Sequence, residues 1–132
     1  MRIYLANVMV DDQEKALEFY RNKLGFKVKH DIPMEEDCWL TLVSEEQPDG
    51  TEILSEPSVH PTVKPFKSAL VADGIPFVSF QADDLDSEYK RLCESGVKFK
   101  QSPMEAGDVK MVVLDDTCGN IIKLIQMLKT DS

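Results

Sequence analysis

Histidine, cysteine, glycine and basic residues are all scarce in this chain, and each scarcity removes a class of function. Glycine occurs six times, and no G-x-G-x-x-G, P-loop or G-x-S-x-G arrangement is present. The chain therefore lacks the usual nucleotide cradles and the nucleophile elbow. Three cysteines, Cys38, Cys93 and Cys118, are an odd number without a C-x-x-C pair, which gives neither a disulfide framework nor a zinc ribbon. A reducing, cytoplasmic setting is the simpler expectation. Cys118, in an expected turn, reads as the most exposable of the three and as inert. Fifteen basic residues against 24 acidic give a net charge of −9, which argues against nucleic acid or another polyphosphate as partner. No stretch approaches the roughly 20 apolar residues of a membrane span. The opening MRIYLANVMVDD is broken at Asn7 and ended at Asp11, too short for a signal-peptide core.

What is present is an internal repeat. Gly25 to Lys29 matches Gly96 to Lys100 in apolar and polar pattern at an offset of about 71. At the same offset Asp37 to Val43 falls on Asp108 to Leu114, and Thr51 to Leu54 falls on Ile122 to Ile125. Upstream, Leu5 to Asp12 falls on Phe77 to Asp84 at an offset of 72, so one residue must be absorbed before the glycine. Self-similarity of this kind sets the architecture before any single element does.

Each copy reads as strand, helix and three strands. The runs Leu5 to Val10 and Phe77 to Ala82 end in paired aspartates, Asp11-Asp12 and Asp83-Asp84, which suit helix N-caps. Apolar side chains at helical spacing follow, Ala16, Phe19, Tyr20 and Leu24 in the first copy and Leu85, Tyr89, Leu92 and Cys93 in the second. Gly25 and Gly96 stop the helices. Strands are expected at about 26–32, 38–44 and 51–56, and at about 97–102, 109–115 and 120–127. The division is a first module over 1–57, a linker over 58–74 with a short helix near Val63 to Val71, and a second module over 75–128. Neither four-stranded sheet can bury a face alone, so the expectation is one α+β domain over 1–132 with pseudo-twofold symmetry.

Two tandem βαβββ modules resemble the vicinal oxygen chelate superfamily, which includes glyoxalases, bleomycin resistance proteins and dioxygenases. The run D-x-x-K-A-L-E-F-Y-x-x-x-L-G-F over Asp12 to Phe26 looks like the first helix of glyoxalase-type proteins. Asp115 to Ile122, D-D-T-C-G-N-I-I, looks like the D-P-x-G-N segment before that superfamily's last strand. The resemblance implies paired half-barrels enclosing a cavity, within one chain or across a homodimer. It also implies metal ligands on the first and last strands of each module.

Here the repeat puts Leu5, Phe77, Glu52 and Lys123 at those positions. Only Glu52 is a metal donor, and a usable divalent site generally needs at least three. His30, near a strand end, and His60, in the linker, are not at equivalent positions. No cofactor is therefore expected, a divalent metal being the alternative. Glu52 and Lys123, as symmetry mates, are candidates for an ion pair across the cavity. Strand alternation adds Asn7 and Met9 beside Leu5, Ser79 and Gln81 beside Phe77, and Leu54 beside Glu52, with Trp39 and Thr41 as a further pair. That gives a ligand pocket of Leu5, Asn7, Trp39, Thr41, Glu52, Phe77, Ser79 and Lys123, apolar with a few polar groups, as small-molecule sites are.

The function expected from these residues and the resemblance is binding of a small cationic or aromatic organic molecule, without a metal, as in the drug-sequestering branch. The alternatives are a metal-dependent lyase, isomerase or ring-cleaving dioxygenase, or a scaffold with a vestigial pocket.

Overall fold

The computed structural model describes residues 1–128; residues 129–132, included in the expected domain span, lie outside the described residues. Two four-stranded mixed sheets alternate with three helical segments. In chain order these are β1 (Leu5–Val10), α1 (Gln13–Ala16) running into a π-helical stretch (Leu17–Lys23), β2 (Lys27–Pro33), β3 (Cys38–Val43), β4 (Glu52–Pro57), α2 (Val63–Ala72), β5 (Val78–Gln81), α3 (Leu85–Glu94), β6 (Met104–Ala106), β7 (Val109–Asp115) and β8 (Ile121–Met127). The sheets have orders β1-β4-β3-β2 and β5-β8-β7-β6, the same topology twice. In each the first strand lies parallel to the last and the others are antiparallel.

Both helices begin where the paired aspartates stand. Asp12 is extended and its carboxylate accepts from the amides of Glu14 (2.8 Å) and Lys15 (3.4 Å). Asp84 accepts from the Ser87 amide at 3.2 Å. Each cap satisfies amides that have no partner within the helix. The π-helical stretch supplies the physical reason for the change of offset. One extra residue separates Asp12 from Gly25 relative to Asp84 and Gly96, and the wider turn after Ala16 takes it in.

One face of each sheet turns to a shared core. Val8, Val10, Phe19, Tyr20 and Leu42 from the first module meet Leu85, Leu92, Val112, Leu114 and Ile122 from the second. Each such side chain, buried to within a few per cent, contributes roughly 1.5–3 kcal/mol. Edge-on aromatic contacts tie the halves together, Tyr20 with Phe80 at 6.3 Å and Phe26 with Phe80 at 4.9 Å.

Two expectations need correction. The strand expected at 97–102 begins only at Met104, and of the earlier segment Phe99 alone pairs, as an isolated bridge to Leu114. Val97 and Phe99 instead pack into the core after the helix stop. Cys118 is not exposable: it is fully buried, while Cys93 on α3 is exposed. The turn that carries Cys118 folds inward beneath α2, whose Lys67 ammonium donates to the Cys118 carbonyl at 2.7 Å.

Candidate functional site

The candidate site is the sheet face turned away from the core. In the parallel β1/β4 pair Leu5 stands beside Glu52, Asn7 beside Leu54 and Met9 beside Glu56, while the intervening Val8 and Val10 are core residues. Thr41 on β3 stands opposite Leu54, and Leu42 opposite Ile53 on the core side. Trp39 shares the Thr41 face by alternation and is half-buried. The register thus puts Leu5, Asn7, Trp39, Thr41 and Glu52 on one surface. Its neighbour is a cleft of about 710 Å³ lined by Trp39, Leu54 and Glu56, with Glu35, Glu36 and Asp37 at its rim.

Glu52 sits in this surface 6% exposed, and Thr41 is fully buried. Glu52 Oε1 and Thr41 Oγ1 have no hydrogen-bond partner among the described residues. A buried oxygen left in that state costs about 1–3 kcal/mol, so the two atoms mark a place equipped to receive a donor. Asn7 is satisfied, since its amide donates to Glu56 Oε2.

His30, set aside in the sequence as near a strand end and not at an equivalent position, comes to this face in the structure. It lies well within β2, and its Nε2 is 3.8 Å from Glu52 Oε1. Thr41 lies between them, on β3, paired with His30 on one side and with Leu54 of β4 on the other. Simple alternation from Val28, a core residue, puts His30 on the wrong face. A bulge between them resets the register, so that Val28 pairs with Leu42 but His30 with Thr41. No local sequence signal marks that bulge.

The second module contributes less. Ser79, Lys123 and Val113 are in register across β5, β8 and β7, on the second sheet. Among the described residues no ion pair joins Lys123 to Glu52; the imidazole that approaches Glu52 is that of His30. The repeat makes the two residues equivalent within their modules, but it assigns them to different sheets. Phe77 precedes β5 and packs edge-on against Phe66 of α2 at 6.3 Å, a contact between linker and module.

The donors do not fit a metal. Among the described residues no three histidine, cysteine, aspartate or glutamate side chains gather in a way that could hold a metal ion. Leu5 and Phe77 offer hydrocarbon, Lys123 an ammonium, and only Glu52 and His30 approach each other. No chemical step is derived through a metal here.

Away from this face, polar groups lock the modules together. Asp116, fully buried, accepts from the Cys118 amide (2.7 Å), the Asn120 amide (3.0 Å), Asn120 Nδ2 (2.8 Å) and the Tyr20 hydroxyl. Asn120 also donates to the Met9 carbonyl at 2.8 Å. The buried Lys67 ammonium binds Asp11 at 3.0 Å and Ser58 at 3.2 Å. Burial, then the Asp116 charge, pushes the Tyr20 phenol well above its usual value. The same two causes push the Cys118 thiol up to about 12. Partial burial works to raise the Asp11 carboxyl, but the Lys67 ammonium outweighs it and holds the group below the usual value.

A model of the Glyoxalase/Bleomycin resistance protein/Dioxygenase superfamily matches residues 2–124. The chain is 45% identical over 126 residues to the uncharacterized protein YurT of Bacillus subtilis (strain 168), covering 96% of this chain and 99% of that one. Among solved structures it is similar to UcmS2, with TM-score 0.81 and 28% identity over 95% of this chain and 97% of that one. It is also similar to TnmS3, an antibiotic binding protein from Streptomyces sp. CB03234, with TM-score 0.77 and 27% identity over 96% of each chain. Among the described residues no helix is long and apolar enough to cross a membrane.

Proposed function

Since the chain belongs to the glyoxalase/bleomycin resistance protein/dioxygenase superfamily, we propose that it binds a small organic molecule, cationic and aromatic, on the open face of its first sheet. The observation that carries this reading is the buried Oε1 of Glu52 on that face, which among the described residues has no hydrogen-bond partner and only His30 Nε2 at 3.8 Å, beside a Thr41 hydroxyl that also lacks a hydrogen-bond partner. A ligand nitrogen bearing a proton supplies the missing donor to the carboxylate. Trp39 offers a planar apolar wall, and Glu35, Glu36, Asp37 and Glu56 around the adjoining cleft favour positive charge. The ligand is held without a metal and without turnover. The antibiotic binding of TnmS3 is consistent with this kind of activity.

The same proposal includes a homodimer that covers the open faces. Ile32 on the first sheet, Met34 just after its β2, and Met104 and Met127 on the second are each about half exposed or more, apolar surface of the sort that pairing removes from water. Sedimentation of the purified chain at micromolar concentration reads the assembly directly.

Trp39 is the chain's one tryptophan, so its fluorescence reports on the site. Titration with ethidium and with bleomycin is expected to quench it saturably, while the anionic dye 8-anilinonaphthalene-1-sulfonate does not. Loss of a hydrogen bond to a charged group costs about 1.5–3 kcal/mol, so Glu52→Gln is expected to weaken binding roughly tenfold to 100-fold. Quenching by neither cation, or equal quenching in Glu52→Gln, overturns the reading.

A further inference from the structure

The internal repeat creates two equivalent junctions between the modules, and among the described residues only one of them is filled by protein. At the filled junction Asp116 and Asn120 meet Tyr20 and the Met9 carbonyl. There the ammonium of Lys67 sits between Asp11 Oδ1 (3.0 Å), Ser58 Oγ (3.2 Å) and the Cys118 carbonyl (2.7 Å).

The repeat offsets carry Met9 onto Gln81, Asp11 onto Asp83, Tyr20 onto Leu92 and Asp116 onto Glu45. All four counterparts line a cleft of about 680 Å³, within the range of about 300–1,000 Å³ usual for small-molecule sites. Its floor is apolar, with Phe26, Phe80 and Leu124, and Glu46 stands at its rim beside Glu45 and Asp83. Where Asp116 is fully buried, the side chain of Glu45 is 71% exposed. The difference arises in the connecting turns. Residues 116–120 tuck into the filled junction, whereas the longer turn over 44–51 leaves its counterpart open.

Charge differs in the same sense. Asp11 has the Lys67 ammonium, but among the described residues neither Asp83 nor Glu46 has a cationic partner. Arg91, the one cation lining the cleft, is taken up by Glu88 at 2.6 Å and by the Lys23 carbonyl at 2.8 Å. Lys27 pairs with Glu45 at 3.8 Å, but among the described residues the open junction keeps the acceptor at Asp83 and the apolar floor without an ammonium on Asp83.

We propose that this cleft is a second binding site, for an organic cation with an apolar body, whose charged group takes at Asp83 the place that the Lys67 ammonium takes at Asp11. It is separate from the open face and stands independently of the reading given for that face.

The test titrates tetraphenylphosphonium, with tetraphenylborate as an anion of the same shape, into the ¹⁵N-labelled chain. Expected are saturable amide shifts at Gly25, Glu46, Ala82 and Asp83 with the cation alone. Glu46→Gln combined with Asp83→Asn, both at exposed positions, is expected to raise the dissociation constant about fivefold or more, as the loss of two exposed charge pairs implies. Glu52→Gln leaves these shifts in place, which separates the cleft from the open face. Shifts confined to Trp39 and Thr41, shifts that do not saturate, equal binding of the anion, or an unchanged constant in the double variant each overturn the proposal.

Discussion

The hydroxyl of Tyr20 donates to Oδ2 of Asp116 across 96 positions of sequence, joining the helix of the first module to the turn of the second. Both groups are buried, so this one bond couples the halves where water cannot replace it. It also defines which of the two symmetry-related junctions is closed.

Removing that hydroxyl should therefore be felt by the whole fold. Tyr20→Phe keeps the ring in the core but deprives Asp116 of one of its four donors, an expected loss of about 1.5–3 kcal/mol in urea unfolding. A cost below about 0.5 kcal/mol would show that Asp116 is satisfied without the phenol.

Alkaline stability follows from the same cluster. Tyr20 and Cys118 are neutral when protonated, and folding raises both of their pKa values, so the native state holds these protons longer. The stability they contribute is complete below their ordinary values of 10.0 and 9.0 and is lost as pH rises, over about 9 to 12 for Cys118. Circular dichroism against pH is expected to show cooperative unfolding in this range, moved to higher pH in Cys118→Ala. A transition at the same pH in that variant contradicts the assignment.

Thiol chemistry should sort the cysteines. Iodoacetamide at pH 8 is expected to modify the exposed Cys93 readily and to leave Cys118, buried and pushed up to about 12, untouched until denaturant is added. Peptide mass analysis before and after unfolding distinguishes the two.

Gly119 holds a left-handed backbone against the Asp11–Lys67 ion pair. Its φ is +89°, and a Cβ there would lie 2.9 Å from Asp11 Oδ2 and 3.0 Å from Lys67 Nζ. Gly119→Ala is expected to cost about 2 kcal/mol or more, since backbone strain adds to displacement of the ion pair. Thermal melts of the variant give the answer.

Thr41→Val should behave in the opposite sense. The hydroxyl is buried without a partner, so an apolar group of the same shape is expected to be neutral or to stabilise the free chain by up to about 1 kcal/mol. The same change is expected to weaken the open face's ligand, because the ligand loses a polar contact. A large destabilisation would mean that the hydroxyl serves the fold and not a ligand.

Much of the fold was legible in the order of residues because its determinants are local or periodic. Asp12 and Asp84 cap helices through amides two or three residues away, and strand alternation with the repeat places Leu5, Asn7 and Glu52 on one face. What the repeat could not convey is where equivalence breaks. Glu52 and Lys123 are equivalent in sequence yet belong to different sheets, and the turn bearing Cys118 is buried while its counterpart stays open. His30 was hidden for a related reason: a bulge in β2 depends on pairing with β3, and pairing is a long-range choice.

The sequence by itself determined the doubled βαβββ topology, the helix boundaries and the acidic character of the surface, since caps, periodicity and net charge act without knowledge of distant partners. Tertiary structure alone decided that His30 approaches Glu52, that Asp116 and Lys67 seal one junction, and that the other is left as a cleft. Those outcomes depend on side chains dozens of positions apart competing for the same buried space, where packing and desolvation set the result.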